Sequence, residues 1–118
     1  MTYVLLIYRA TEVGKKPPGM DERATLRAHR AMQREASARG DLHAVARLEE
    51  SREARTVRRQ ASGHEIVDGP FIETKEWLVG FYLLDCANEE EAIARAKTIC
   101  ADDEHVIEVR PVTWRWKP

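Results

Sequence analysis

Cysteine is scarce: the 118-residue chain carries two, Cys86 and Cys100. Two thiols build no disulfide framework, and no Cys-x-x-Cys or His/Cys spacing prepares a zinc site. Both lie in apolar-rich segments and are expected to be buried, reduced thiols. Excess charge is missing too. Lys plus Arg number 19 and Asp plus Glu 20, a formal charge of −1, so no whole-protein field draws in nucleic acid or an anionic membrane. No apolar run approaches the roughly 20 residues of a membrane span. Residues 1–10 are apolar but lack the basic start and small-residue cleavage site of a signal peptide. A cytoplasmic protein is expected. No cofactor or metal motif, repeat or low-complexity tract is present. What remains is a globular composition, 43% hydrophobic and 33% charged, of a length that makes residues 1–118 a single domain.

Periodicity divides that domain. Residues 3–8 are apolar at both alternating positions, as in a strand covered on both sides. A turn-rich break at 14–19 precedes a helix over 20–39, closed by Gly40. Residues 42–48 alternate as a half-buried strand, and 55–60 with 65–67 flank Ser62-Gly63 as a polar hairpin. Residues 77–86 form a second central strand. Asn88, with Glu91 three residues on, starts a helix reaching Ile99, and 105–112 is the last strand. The order β-α-β-β-β-β-α-β fits an α+β, ferredoxin-like domain, an antiparallel sheet with helices on one face. A sheet covered on one side needs cover on the other, so a homodimer is expected.

At about 100° per residue, the first helix sets Arg23, Arg27, Arg30 and Arg34 opposite a face where His29 sits between Leu26 and Met32. The arginine stripe suits a solvated face. An imidazole on the inward face suits proton transfer near neutral pH or a satisfied core position. Asp68-Gly69-Pro70 is a turn signal: the Asp accepts backbone N–H groups, Gly permits positive φ, and Phe71 is expected to anchor the turn in the core. Glu108 and Arg110 lie two apart among valines on one strand face. They form a partly buried polar patch on the open side of the sheet or a surface ion pair.

Asp68-Gly69-Pro70-Phe71 with Glu73-Thr74-Lys75-Glu76, then Gly80-Phe81-Tyr82 and Glu108-Val109-Arg110-Pro111-Val112, resembles the signature of the DGPF proteins. These are a branch of the YCII-related family of small bacterial proteins, and the resemblance covers nearly the whole chain. It implies a ferredoxin-like fold pairing into a dimeric α/β barrel. The wider family's first-helix histidine, eleven residues before a helix-ending glycine, matches the interval from His29 to Gly40. There it is suggested to act with an aspartate. Muconolactone-type relatives eliminate chloride from chlorinated ring-cleavage products. DGPF genes often neighbour extracytoplasmic-function sigma factors, which implies a signalling role instead.

Two expectations of different classes follow. In the first, the chain is a small cleft enzyme of lyase or isomerase type, with His29 as general acid or base and Asp68 as its partner. Arg110 would hold an anionic small molecule by a forked contact, with Glu108, Glu73 and Lys75 as further candidate ligand contacts. In the second, it is a non-catalytic dimer associated with sigma-factor-dependent regulation. Direct nucleic-acid binding, resting on Arg52, Arg55, Arg58 and Arg59, comes third.

Overall fold

The computed structural model describes residues 1–11, 22–71 and 76–118. Its elements run β1 (Thr2–Arg9), α1 (Glu22–Ala38), β2 (Leu42–Arg47), β3 (Arg55–Gln60), β4 (Gly63–Asp68), β5 (Trp77–Asp85), α2 (Glu89–Ile99) and β6 (His105–Pro111), with a short 3₁₀ turn at Ser51–Glu53. The order is the expected one. Four strands form one antiparallel sheet, β2-β5-β1-β6, and β3 with β4 a separate two-stranded sheet. This α+β arrangement is compatible with a ferredoxin-like fold.

Helix ends are set by local chemistry. Asn88 accepts the Glu91 backbone N–H at 2.9 Å and so caps α2. Gly40 takes φ 75° after α1, while Gly40 and Asp41 return their N–H groups to the Ser37 and Ala36 carbonyls. The expected start of α1 at Met20, and the 14–19 turn, fall outside the described residues.

Both helices pack on one face of the sheet. Tyr3, Leu5 and Ile7 of β1 and Tyr82 and Leu84 of β5 meet Met32 and Ala36 of α1 and Ala92, Ala96 and Ile99 of α2. The alternate positions Val4, Leu6, Tyr8, Phe81 and Leu83 are only half-buried. The apolar character of both strand faces is therefore real, but within one chain the helices cover one of them. Gly80 sits where β2 comes closest: a Cβ there would lie 2.7 Å from the Ala46 carbonyl oxygen.

Two expectations about burial are corrected. Cys86 is buried, but Cys100 is exposed, because it follows the last turn of α2. Phe71 is 66% exposed and lies under the Arg58 guanidinium at 5.0 Å, so a cation–π contact holds it instead of the core. The β3–β4 hairpin buries no side chain. With it standing off the sheet, the radius of gyration is 16.1 Å, against roughly 13.5 Å for a compact chain of this length. No helix among the described residues is long and apolar enough to cross a membrane.

Candidate functional site

Thr25, His29 and Gln33 succeed one another at four-residue spacing on α1, so one helical stripe carries all three. Each is engaged across the space between α1 and the sheet. His29 Nδ1 lies 2.7 Å from the Tyr82 hydroxyl, and Gln33 Nε2 donates to the same oxygen at 2.9 Å. The His29 and Tyr82 rings stack at 5.8 Å with 11° between their planes. Tyr82 is 1% exposed, and burial raises its pKa, partly offset by the Gln33 bond. It therefore keeps its proton. With Gln33 donating to the oxygen, that proton is best satisfied by donation to His29 Nδ1. His29 then carries its own proton on Nε2.

Thr25 donates to Asp102 Oδ2 at 3.0 Å, joining the start of α1 to the loop before β6. Asp102 also accepts the backbone N–H groups of Glu104 and His105 at 2.8 and 3.0 Å. His105 Nδ1 approaches its two carboxylate oxygens at 2.8 and 3.0 Å. Burial pushes the Asp102 carboxyl up, but the His105 contact, the Thr25 bond and the Glu104 N–H outweigh it and hold the carboxyl below its usual range. An ionised Asp102 fixes the His105 proton on Nδ1 and leaves Nε2 as the basic nitrogen.

His29 and His105 line one cleft of about 340 Å³, together with Arg9, Arg47, Gly80 and Tyr82, a volume that suits one small molecule. Burial is the main reason the His29 pKa falls below 6.5; neighbouring His105 lowers it further and Asp102 partly restores it. His29 is thus neutral at pH 7. A second cleft of about 490 Å³ lies between Tyr8, Glu50, Glu53, Pro70 and Trp77. Its described lining holds carboxylates but no imidazole, so the two histidines belong to the smaller cleft. Among the described residues, no three His, Cys, Asp or Glu side chains group as a metal would require.

The residues picked from sequence are dispersed. His29 is in the cleft. Asp68 lies at the end of β4, its side chain 88% exposed and 3.2 Å from Arg55 Nε, and it does not line the His29 cleft. Arg110 and Glu108 pair with Val4 and Leu6, which puts them exposed on the sheet face away from the helices. Of the two expectations for that patch, partial burial is not seen within one chain. Glu73 and Lys75 lie outside the described residues. Sequence reading missed Tyr82, Gln33, Asp102 and His105. The four-residue stripe of polar groups on α1 and the Asp102-x-x-His105 spacing were the available signals.

Over 114 residues the chain is 37% identical to an uncharacterized protein of Rhizobium meliloti (strain 1021), covering 95% of this chain and 92% of that protein. The model of the YCII-related domain matches residues 1–117. The chain belongs to the YCII-related family.

Proposed function

We propose that this protein is a small-molecule enzyme of the lyase or isomerase kind, acting by proton transfer at a carbon beside a carbonyl group. His29 is its central polar group. The observation that carries this reading is the 2.7 Å bond between His29 and the buried Tyr82 hydroxyl, which orients a neutral imidazole in a cleft of substrate size. In the described lining of the cleft Arg9 and Arg47 outnumber the single carboxylate, Glu22, which favours an anionic substrate. In this reading Arg110 and Glu108 belong to a subunit contact instead. A second copy covers the half-buried face formed by Val4, Leu6, Tyr8, Phe81 and Leu83, giving the dimeric barrel of the family resemblance.

The test is deuterium exchange, read by proton NMR, for a panel of small keto acids, ketones and lactones incubated with the protein in D2O. Exchange at carbons beside the carbonyl, reduced at least about 100-fold by His29→Gln, supports the reading. Absence of exchange across the panel contradicts it and favours a non-catalytic binding protein tied to transcriptional regulation. Sedimentation should give a dimer that Phe81→Arg dissociates; a wild-type monomer contradicts the assembly.

A further inference from the structure

The cleft holds a second imidazole besides His29. His105 has a side chain only 8% exposed, and it lines the same cleft as His29. It is held as a base is held: Nδ1 faces the Asp102 carboxylate at 2.8 Å, and that carboxylate is fixed by Thr25 and two backbone N–H groups. A carboxylate on Nδ1 both sets the tautomer and stabilises the imidazolium that forms when Nε2 takes up a proton. His29 is held the opposite way. Its Nδ1 is occupied by the Tyr82 hydroxyl, which Gln33 supplies with a donor, so Nε2 carries a proton. The residues lining one cleft thus include an imidazole whose Nε2 is basic and another whose Nε2 carries a proton.

We infer that His105, positioned by Asp102, is the base of this site, and that His29 is the hydrogen-bond donor to the substrate carbonyl oxygen. This division of labour rests on the proton-transfer reading proposed above. His105 Nε2 takes the proton from the carbon beside the carbonyl. The C–H electron pair forms a C=C bond as the carbonyl π pair moves onto oxygen. His29 Nε2–H donates a hydrogen bond to that oxygen and keeps its proton, as an oxyanion-stabilising group does. In an isomerisation of a β,γ-unsaturated substrate the enolate is a dienolate. The His105 imidazolium returns the proton to the γ-carbon, where the terminal π pair forms the new C–H bond. The remaining C=C shifts to the α,β position and the oxygen pair re-forms the carbonyl. In an elimination a leaving group on the β-carbon departs with its bonding pair, and the imidazolium releases its proton to solvent. Neither route needs an oxidant, reductant or second substrate. Asp102 touches no reacting atom and is a positioning residue.

The tautomers are read directly by long-range ¹H–¹⁵N NMR on the full-length, uniformly labelled protein at pH 7.5, without any ligand. His105 should show a protonated Nδ1 and a free Nε2, and His29 the reverse. Asp102→Asn should shift His105 toward the Nε2–H form while leaving His29 unchanged. Finding His105 protonated on Nε2, or His29 on Nδ1, in the wild type overturns the assignment. The exchange assay then separates the two levels of the argument. If the wild type exchanges a panel compound and His105→Gln slows it at least about 100-fold, with partial rescue by added imidazole, the assignment stands. If His105→Gln exchanges at the wild-type rate while His29→Gln does not, the proton-transfer reading survives and His105 is not the base. If the wild type exchanges nothing, the reading itself fails and the assignment falls with it. Thermal melts of each variant identify any that does not fold; for those, His105→Asn takes the place of His105→Gln.

Discussion

The four-stranded sheet and the β3–β4 hairpin are both built from alternating residues, yet they differ in almost every physical respect. In the sheet, Tyr3, Leu5 and Ile7 alternate into a core closed by two helices. In the hairpin, Val57 is 64% and Ile66 68% exposed, although they pair across the ladder. The hairpin ends in Asp68-Gly69-Pro70-Phe71, the most recognisable run in the chain. The space between α1 and the sheet holds both histidine sites. A stretch is recognisable when its local backbone demands particular residues, as Gly69 does at φ 97°. Chemistry gathers where elements distant in sequence enclose a space, and no local pattern demands that.

Substituting matched apolar residues gives the largest test of this contrast. Leu5→Ala, at a fully buried position, should cost about 2–5 kcal/mol in denaturant unfolding, while Ile66→Ala should stay within about 0.5 kcal/mol. Equal losses would mean that the hairpin is packed as tightly as the sheet. Next in size is Tyr82→Phe. It removes the hydroxyl shared by His29 and Gln33 and leaves both without that partner, a loss of about 1–3 kcal/mol. The same variant should change the His29 tautomer, which calorimetry and NMR read separately.

Acidity separates the regions in a different way. Burial keeps the folded-state pKa of His29 below 6.5, so the unfolded chain binds the proton first. Its contribution to stability is complete above pH 6.5 and is lost as pH falls through the folded value. His29→Gln should abolish that limb of the stability–pH curve. Asp102 and Asp85 are held below 3.8 by their hydrogen bonds against the opposing effect of burial. Their contribution is present above 3.8 and lost only as pH falls further. A curve without the upper limb would contradict the burial of His29. The smallest effect is expected from Asp68→Ala. An exposed pair with Arg55 is worth at most about 1 kcal/mol, and the His29 titration should not respond.

The element order, the Asn88 cap, the Gly40 terminus and the inward position of His29 were all legible in the sequence. Each depends on spacing within a few residues. The partner of His29 was not, because Tyr82 lies 53 residues away in a run that is apolar or aromatic from Trp77 to Leu84. The Asp102–Thr25 bond spans 77 residues and was equally hidden. Asp68 drew attention through its turn motif, but that motif sets a backbone bend on an exposed hairpin. Phe71 misled for a related reason: an aromatic after a turn is usually read as an anchor, and here an arginine covers it.

In the function proposed above, the working groups of this protein meet in the cleft between α1 and the sheet and not at the hairpin signature. A residue-resolved ¹⁵N NMR titration of the histidines tests it most directly, in the wild type, His105→Gln and Asp68→Ala. His29 should titrate below pH 6.5, its pKa should rise when His105 is replaced, and it should not move when Asp68 is replaced. A His29 that responds to Asp68→Ala and ignores His105→Gln would contradict that placement of the working groups.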